Sequence, residues 1–316
     1  MLVLPDLFKA LADPMRLRIA KLVAGSELRV QELAGILRAP QPTVSRHLAL
    51  LLRAGVVRRR RDGQWTYYAW SLDATTDGGA LDTALRQRLG REKDEHGDAA
   101  RLRRCLAARE QPSREFFARV APEWDRLRLG LQPEGLNATL LGAIVPATST
   151  VLDAGTGTGA LLPMLAPAAR CLIGVDRADA MLAQARRRVQ AEGLEHVVLL
   201  RADLEALPVA DAGVDAVSSA FALHHVARPA AIIAECARVV RPGGRVVLCD
   251  LAPHDQEWMR RDLAHVWLGF APERVVSWCN AAGLEASRIH EALPRAHDAR
   301  RGPDVWVIAA RRPLAP

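Results

Sequence analysis

Aromatic residues, cysteines and lysines are scarce in this 316-residue chain. Aromatic residues make up 4% of it, only three lysines occur, and the five cysteines are never spaced as CxxC. Scattered thiols fit a reducing compartment better than a disulfide framework. We therefore expect buried structural thiols at four of the five cysteines, namely Cys171, Cys236, Cys249 and Cys279.

Long apolar runs are also missing. No stretch of about 18 apolar residues occurs, so the sequence predicts no membrane span. The segment Met1–Ala12 lacks a basic region followed by an apolar core, so we expect no signal peptide. The expected location is the cytoplasm.

The net charge of +7 is unevenly distributed. Residues 1–70 hold 12 Lys or Arg against 5 Asp or Glu, whereas positive and negative residues balance in the remainder. A preference for Arg over Lys explains how common Arg is, but it does not explain where Arg is placed. The excess at one end indicates nucleic-acid binding there.

Residues 1–72 carry the pattern of a winged helix-turn-helix DNA-binding domain. Apolar periodicity predicts two short helices in 5–23, separated at Asp13-Pro14, and further helices over 30–37 and 41–54. Two strands should follow, and Asp62-Gly63 between them is typical of a type I′ hairpin turn. Those strands are Val56–Arg61 and Gln64–Trp70.

Beyond this domain, residues 73–112 are predicted to form polar turn residues followed by a helical connector with a break near Glu95–Gly97. The connector is a candidate dimer contact.

Residues 113–316 alternate Val- and Leu-rich strands with amphipathic helices, which predicts a doubly wound α/β sheet. The segment 113–145 should form helices that cover the site. The predicted strands are Thr150–Asp153, Cys171–Asp176, Val197–Arg201, Val214–Ser219, Arg245–Asp250 and Val305–Arg311. The predicted helices are Leu161–Leu165, Ala178–Ala191, Pro229–Val239 and Glu273–Ala282.

Polar residues begin the helix predicted over 41–54, where helix-turn-helix proteins meet base edges and phosphates. The wing adds a run of arginines that suits neighbouring phosphates, although a solvated strand edge explains the run as well. Trp65, Tyr67 and Tyr68 favour the core of the wing. The predicted DNA contacts are Gln41, Thr43, Ser45, Arg46, His47, Arg58, Arg59, Arg60 and Arg61.

The segments FKALADPMRLRIAKL, ELRVQELAGIL and QPTVSRHLALLLRAGVVRRRRDGQWTYYAW resemble the ArsR/SmtB family of bacterial repressors over nearly all of residues 7–70. The resemblance implies a homodimer that binds double-stranded operator DNA. Metal-sensing members carry a cysteine pair where this chain has Arg29 and Gln31. Thiolates are the soft ligands that such a site needs, so we expect no metal site there. Pro40 stands where the family often has Ser, which removes a side-chain helix cap.

The segment VLDAGTGTGA runs from an apolar strand through Asp153 into three glycines, Gly155, Gly157 and Gly159. Glycines allow a sharp turn and a close approach of ligand to backbone, and the next helix presents its N-terminus. By itself the motif is ambiguous, since Gly155-x-Gly157-x-x-Ala160 also satisfies a lenient dinucleotide-binding pattern.

Three further features resemble class I S-adenosylmethionine-dependent methyltransferases. Asp176 ends the second strand of the body, Asp203 follows the third, and a turn over 241–244 precedes the fifth. The resemblance implies that Asp153 and the glycine loop hold the methionine part, Asp176 the ribose, and Asp203 with Leu204 the adenine. Met181 suits either adenine packing or the core. The predicted cofactor contacts are Asp153, Ala154, Gly155, Thr156, Gly157, Gly159, Asp176, Arg177, Met181, Asp203, Leu204 and Ala220.

The segment after the fourth strand faces the methyl acceptor in such enzymes. His224 and His225 are candidate catalytic bases there, because imidazole titrates near neutral pH. A capping or packing role explains the pair equally well. Ala220 and Phe221 stand where related enzymes often carry polar residues, which counts against catalysis without excluding it.

The whole chain also resembles fusions of an ArsR-like head to a methyltransferase-like body, some of which are repressors that respond to S-adenosylhomocysteine. The leading hypothesis is a repressor with S-adenosylmethionine or S-adenosylhomocysteine as effector. The alternative is an active small-molecule methyltransferase with an autoregulatory head. A metal or metalloid sensor using other residues is a third hypothesis, and no metal ligand is assigned.

Overall fold

The computed structural model describes residues 4–72, 79–129, 136–144, 150–290 and 302–314. Residues 73–78 of the polar turn predicted over 71–78 therefore lie outside the described residues. Contacts divide the chain into two compact units, residues 1–109 and 110–316. The second boundary expected from the sequence, after residue 112, falls inside a helix that begins at Asp98 and ends at Val120.

The first unit opens with helices α1 (Leu4–Leu11) and α2 (Pro14–Ala24). The Asp13 side chain caps α2 by accepting a 2.9 Å hydrogen bond from the backbone N–H of Arg16, and Pro14 occupies the first helical turn. Proline suits the first turn because an N–H at this position would have no partner within the helix, so nothing is lost when it is absent. The separation of the two helices at Asp13-Pro14 is thus confirmed.

Helices α3 (Val30–Leu37) and α4 (Gln41–Arg53) form the helix-turn-helix pair. Val44, Leu48 and Leu51 are buried on one side of α4. Their spacing of four and three residues places them on a single face of the helix. The other face of α4 is left to solvent.

Strands β1 (Val57–Asp62) and β2 (Trp65–Trp70) form the antiparallel wing. Asp62 pairs with Trp65, so the two-residue loop is Gly63-Gln64, one residue later than predicted. Gly63 has a φ of 56°, whereas Gln64 has no positive φ, so the expected type I′ turn at Asp62-Gly63 is wrong. A type I′ turn needs positive φ at both central residues. Tyr67 is buried in the wing, as predicted.

Helices α5 (Gly79–Arg91) and α6 (Asp98–Val120) confirm the predicted break near residues 95–97. The helix α6 continues through Pro112 into the segment predicted to start the second domain. Helices α7 (Trp124–Leu129) and α8 (Leu136–Ile144) follow it. Residues 113–145 are therefore helical wherever the structure describes them, apart from a short turn after α6.

The second unit contains a seven-stranded sheet in the order β5-β4-β3-β6-β7-β9-β8. Strands β3 to β7 are parallel, and β9 lies antiparallel between β7 and β8. The strand bounds are β3 Thr150–Ala154, β4 Cys171–Asp176, β5 Val197–Arg201, β6 Val214–Ala220, β7 Val240–Leu251, β8 Glu285–His290 and β9 Val305–Arg311. The predicted doubly wound α/β fold is confirmed.

The helices of this unit are α9 Leu162–Leu165, α10 Asp179–Ala191, α11 Pro229–Val239, α12 Trp258–Asp262 and α13 Pro272–Ala281. Short 3₁₀ turns cover Ala166–Ala168 and Leu223–His225. No helix among the described residues has both the length and the apolar character that a membrane crossing requires.

Three sequence expectations for this unit need correction. The turn predicted over 241–244 lies within the bounds of β7, as an irregularity that leaves these residues out of the pairing with β6. The strand β8 was not predicted, because its polar residues lack the apolar run that marks the other strands. Cys171 is only partly buried, whereas Cys236, Cys249 and Cys279 are buried as expected.

Candidate functional sites

The exposed face of α4 carries most of the residues predicted to contact DNA. Gln41, Ser45 and Arg46 are exposed, and Thr43 and His47 are partly buried. Pro40 precedes the helix and provides no side-chain cap, as expected. His47 Nδ1 lies 3.7 Å from a carboxylate oxygen of Asp13, which favours a structural role for this histidine.

The four arginines of the wing differ in their surroundings. Arg60 donates 3.0 Å hydrogen bonds to Glu27 and lies 3.3 Å from Asp62. Arg61 donates to the backbone oxygen of Gly63, while Arg58 and Arg59 are exposed and form no ion pair within the described part of the chain. The strand therefore leaves Arg58 and Arg59 available for phosphate, while Arg60 holds the wing together.

The segment where metal-sensing relatives carry cysteines is occupied by an ion-pair network. Glu32 in α3 lies 3.0 Å from Arg29 and 2.7 Å from Arg109. Burial acts to raise the pKa of Glu32, but the charge of Arg109 and the hydrogen bonds from Arg29 and Arg109 together hold it below its usual range. Arg29 also lies over the Trp65 ring at 4.6 Å.

A cavity of about 830 Å³ opens in the second unit, where β3, β4, β5 and β6 end. Ligands of open α/β sheets bind at this carboxyl edge of the strands. From the predicted set, the cavity is lined by Gly155, Thr156, Gly157, Asp176, Arg177, Met181, Asp203, Leu204, Ala220 and His225. Asp153, Ala154, Gly159 and His224 are not among the lining residues.

The glycine loop forms one wall of this cavity. Gly155 and Gly157 have φ values of 83° and 55°, in the left-handed region that only glycine enters readily. A Cβ at Gly155 would lie 2.8 Å from Cβ of Ala222, and a Cβ at Gly157 would meet nothing within 4 Å. Gly159 has a different role, because a Cβ there would lie 2.8 Å from Leu162 and 3.1 Å from Ala185. Gly159 permits close packing of α10.

Asp176 ends β4 and faces the cavity across the glycine loop. Its Oδ2 accepts a 3.0 Å hydrogen bond from the Gly157 N–H, and its Oδ1 accepts one of 2.8 Å from the Ala178 N–H. Burial raises the pKa of Asp176, and these two backbone hydrogen bonds oppose that shift. The carboxylate is thus held in place beside the loop.

Asp203 and Met181 occupy other parts of the same cavity. Asp203 is exposed to it and accepts a 3.0 Å hydrogen bond from the Glu205 N–H, which fixes the turn after β5. Met181 is 2% exposed, so core packing accounts for most of its surface, although it also lines the cavity.

Helix α6 supplies cavity residues that the sequence reading missed. Arg114 and Phe117 line the cavity, and Trp124 joins them from α7. Glu110 of the same helix accepts hydrogen bonds of 2.6 Å from both Arg177 and the Ala227 N–H. The segment SREFFARVAPEW predicts helices that cover the site, but it does not indicate which of its side chains reach the cavity.

His224 and His225 lie in the short turn after β6 and are 3% and 4% exposed. His224 Nδ1 is 2.6 Å from Oδ1 of Asp250, and His225 Nδ1 is 3.2 Å from Oγ of Ser113. Burial, followed by the neighbouring His224, holds the pKa of His225 well below its usual range, while the Ala264 carbonyl opposes this shift. His225 is therefore held in the neutral form at the cavity wall, and its lowered pKa makes it a weak base.

Two family models match the chain. One, described as "Methyltransferase domain", matches residues 152–248. The other, described as "Bacterial regulatory protein, arsR family", matches residues 13–59. The two matches lie in different compact units of the chain.

Two relatives correspond to these matches. The demethylmenaquinone methyltransferase of Thermus thermophilus is 39% identical over 145 residues, which cover 44% of this chain and 65% of that protein. The chain therefore spans just under two thirds of that enzyme. An uncharacterised HTH-type transcriptional regulator of Methanocaldococcus jannaschii is 44% identical over 64 residues, which cover 20% of this chain and 72% of that protein.

Among solved structures, the N-methyltransferase NodS from Bradyrhizobium japonicum WM9, in complex with S-adenosyl-L-homocysteine, has a TM-score of 0.51 at 20% sequence identity. The match covers 64% of this chain and 100% of that one. At this identity the likeness shows the fold alone.

A methyltransferase domain binds S-adenosylmethionine or S-adenosylhomocysteine, and the cavity residues fit such a group. The positive φ at Gly155 and Gly157 brings bare backbone to the cavity wall. The Asp176 carboxylate is suited to accept hydrogen bonds from ribose hydroxyls. Thr156 lines the same wall of the cavity.

Proposed function

Because this chain belongs to the arsR family of bacterial regulatory proteins and joins that domain to a methyltransferase domain, we propose that it is a DNA-binding repressor with S-adenosylhomocysteine or S-adenosylmethionine as its effector. The proposal rests on one observation: the excess of basic residues and the cavity belong to different parts of the chain. Residues 1–70 hold 12 basic against 5 acidic residues, and the cavity is lined entirely by residues of the second unit. DNA contact and ligand contact are therefore assigned to different parts of the chain.

The acceptor side of the cavity supports sensing over turnover. Ala220 and Phe221 line this wall, at positions where related methyltransferases often carry polar groups. Phe221 has a φ of 54°, a conformation that is strained for a bulky residue and is characteristic of functional sites. This wall offers few groups to orient a polar acceptor, whereas the loop and Asp176 on the adenosyl side are complete.

In this proposal the ligand contacts follow the geometry of the cavity. Asp176 accepts from the ribose hydroxyls, and Asp203 with the Leu204 backbone holds the adenine. Gly155 and Gly157 admit the methionine part. Asp153, Ala154 and Gly159 act from beneath the loop, because they do not line the cavity.

A homodimer is part of the proposal. Leu4 and Phe8 of α1 are 50% and 53% exposed, and Leu17 of α2 is 40% exposed. Apolar side chains of this size favour burial against a second chain. A twofold dimer would bind an operator with two related half-sites. Sedimentation equilibrium of the full chain tests the dimer, and we expect the mass of two chains.

The test of the effector role is a DNA-binding titration. Ligand changes DNA affinity only if it binds the DNA-competent and DNA-incompetent shapes unequally. A duplex selected by the purified protein from a random library serves as the probe. We expect S-adenosylhomocysteine or S-adenosylmethionine to change its apparent affinity by about fivefold or more. Calorimetry that shows ligand binding, combined with unchanged DNA affinity, would refute the effector role.

Variants separate the two activities. Replacing Ser45 and Arg46 by Ala should weaken DNA binding and leave ligand binding intact, because both side chains are exposed on α4. Arg53→Ala is the charge-matched control, since Arg53 lies at the opposite end of the same helix. Equal loss of both activities in the double variant would indicate misfolding and contradict the assignment of α4.

Methyl transfer is the second candidate function, and the relation to demethylmenaquinone methyltransferase favours it. S-adenosylmethionine supplies an activated methyl group, so alignment of the acceptor accounts for most of the catalysis. His225 is the candidate base, because it is the histidine that lines the cavity. Incubation of the protein with methyl-labelled S-adenosylmethionine and candidate acceptors measures this activity. Transfer that persists in the variant with both His224 and His225 changed to Ala would exclude the base role.

A further inference from the structure

His224, His225 and His265 form a buried cluster in the second unit. Each offers a ring nitrogen, and these three atoms all lie within 4.8 Å of one another. The ring centroid of His224 lies 4.1 Å from that of His225 and 4.2 Å from that of His265. Three imidazoles are the protein ligand set of some catalytic zinc sites, which keep a fourth position open.

Hydrogen bonds orient two of the three rings. Asp250 holds Nδ1 of His224, and Ser113 lies against Nδ1 of His225, so the Nε2 atom of each ring points away from these partners. A carboxylate on the far nitrogen of a ligating histidine is the usual support of a metal site, because it fixes the tautomer and strengthens the donor. Asp250 is 0% exposed and therefore holds this contact away from water.

One donor atom of the cluster lacks a partner. His265 Nδ1 is buried and makes no hydrogen bond within the described part of the chain, whereas the Ala264 carbonyl acts on the His225 ring. Buried polar atoms almost always find a partner, so this orphan nitrogen calls for a missing ligand. The charged groups that act on the cluster include Asp250, which contacts His224, and Arg260, whose positive charge lowers the pKa of His265.

The backbone brings His265 to the pair from a distant part of the sequence. The Val266 and Trp267 N–H groups donate hydrogen bonds of 2.9 and 3.1 Å to the His224 carbonyl. Ala264 has a φ of 54°, which turns the chain immediately before His265. The segment after α12 is thus fastened to the turn that carries His224 and His225.

We propose that His224, His225 and His265 bind one first-row divalent transition-metal ion of the Zn²⁺ class. Ligand nitrogens of tetrahedral zinc lie about 3.3 Å apart, given Zn–N bonds of about 2.0–2.1 Å, so rotation of the rings closes the remaining gap. His225 also lines the cavity, which provides an entry path for the ion and leaves one coordination position for water or for an acceptor atom. This site is distinct from the position near Arg29 where metal-sensing relatives carry cysteines. It also does not depend on the proposed effect of the adenosyl ligand on DNA binding.

Metal binding is tested on the full chain without a histidine tag, after removal of metal by a chelator. Calorimetry with Zn²⁺ should show one ion per chain. Co²⁺ should give the intense visible d–d absorption of a four-coordinate site without a thiolate charge-transfer band. X-ray absorption of the Zn²⁺ protein should show imidazole scattering. Failure of the folded protein to bind a stoichiometric ion, or a first shell without imidazole, overturns the proposal without any variant.

Variants assign the ligands. His265→Ala should lower Zn²⁺ affinity at least about 100-fold, and Asp250→Asn about 10–100-fold. Asp250 supports the His224 ring and also accepts hydrogen bonds from the backbone N–H groups of Leu223 and Leu251, so the folding of this variant is verified as well. His196→Ala is the matched control, because His196 contacts the Ala166 carbonyl and lies outside the cluster. Circular dichroism verifies folding, and His265→Gln replaces the Ala variant if that one fails to fold. Equal Zn²⁺ affinity in the folded His265 variant and the wild type would also overturn the proposal.

Discussion

Nη1 of Arg177 donates a 2.6 Å hydrogen bond to Oε2 of Glu110, and this pair joins helix α6 to the residue that follows β4. Glu110 also accepts from the Ala227 N–H and lies 3.2 Å from Arg114. A single carboxylate thus connects three segments around the cavity, and two of its partners, Arg114 and Arg177, line it.

We expect Glu110→Gln to destabilise the protein by about 1–3 kcal/mol. The substitution keeps the size of the side chain, but it removes the charge that balances two guanidinium groups at a mostly buried position. Urea denaturation measures the loss. Glu123→Gln is the control, because the Glu123–Arg126 pair is exposed and should contribute little. Equal stability of the two variants would show that the Glu110 network is not a stabilising element.

Asp176→Ala should weaken the binding of S-adenosylhomocysteine about 10–100-fold. The variant loses a carboxylate proposed to accept from the ribose hydroxyls, and hydrogen bonds to charged groups contribute about 1.5–3 kcal/mol each. Isothermal calorimetry measures the affinity. Asp211→Asn is the control, since Asp211 is an exposed partner of Arg238 outside the cavity. Unchanged affinity in Asp176→Ala would refute the ribose assignment.

The glycines at 157 and 159 should separate ligand binding from stability. Gly159→Ala should reduce the free energy of unfolding by about 1–3 kcal/mol beyond the effect of Gly157→Ala, because its methyl group clashes with Leu162 and Ala185. Both variants carry the cost of a positive φ, so that cost cancels in the comparison. Gly157→Ala should instead weaken ligand binding, since Gly157 lines the cavity. Thermal unfolding with and without S-adenosylhomocysteine measures both effects, and the reverse order would contradict the packing role of Gly159.

Arg59 and Arg60 should differ in their contribution to DNA binding. Arg59→Ala should reduce the slope of log affinity against log salt by about 0.9, the value for one phosphate contact. Its effect on stability should stay within about 0.5 kcal/mol, as for an exposed side chain. Arg60→Ala should instead lower stability, because it removes the ion pairs with Glu27 and Asp62. If Arg60→Ala changes only the salt slope, the structural role of Arg60 is wrong.

Much of the fold was predictable because local patterns are strong. The apolar strands Cys171–Asp176, Val197–Arg201 and Val305–Arg311 were predicted with their observed bounds. The helix break at Asp13-Pro14 follows from cap chemistry. The hairpin turn was displaced by one residue, because register depends on cross-strand pairing. Strand β8 has no apolar pattern in its sequence. It is a strand because it pairs with β9, and the sequence does not predict that pairing.

The candidate site was predictable only in part. The residues Gly155, Gly157, Asp176 and Asp203 belong to short motifs, and the structure places all four around one cavity. Their roles toward ligand stay predictions. Glu110 lies in the segment predicted as a connector, and Arg114 and Phe117 lie in the segment predicted only to cover the site, so their places at the cavity follow from the packing of α6.

The sequence by itself determined the two-part organisation of this protein, because charge, caps and apolar periodicity are properties of neighbouring residues. It also determined the families, through motifs that are continuous along the chain. Only the tertiary structure decided that His265 joins His224 and His225, that Asp250 orients one of these rings, and that Glu110 connects three segments. These contacts join residues far apart in the chain, and their geometry depends on how the sheet and its helices pack.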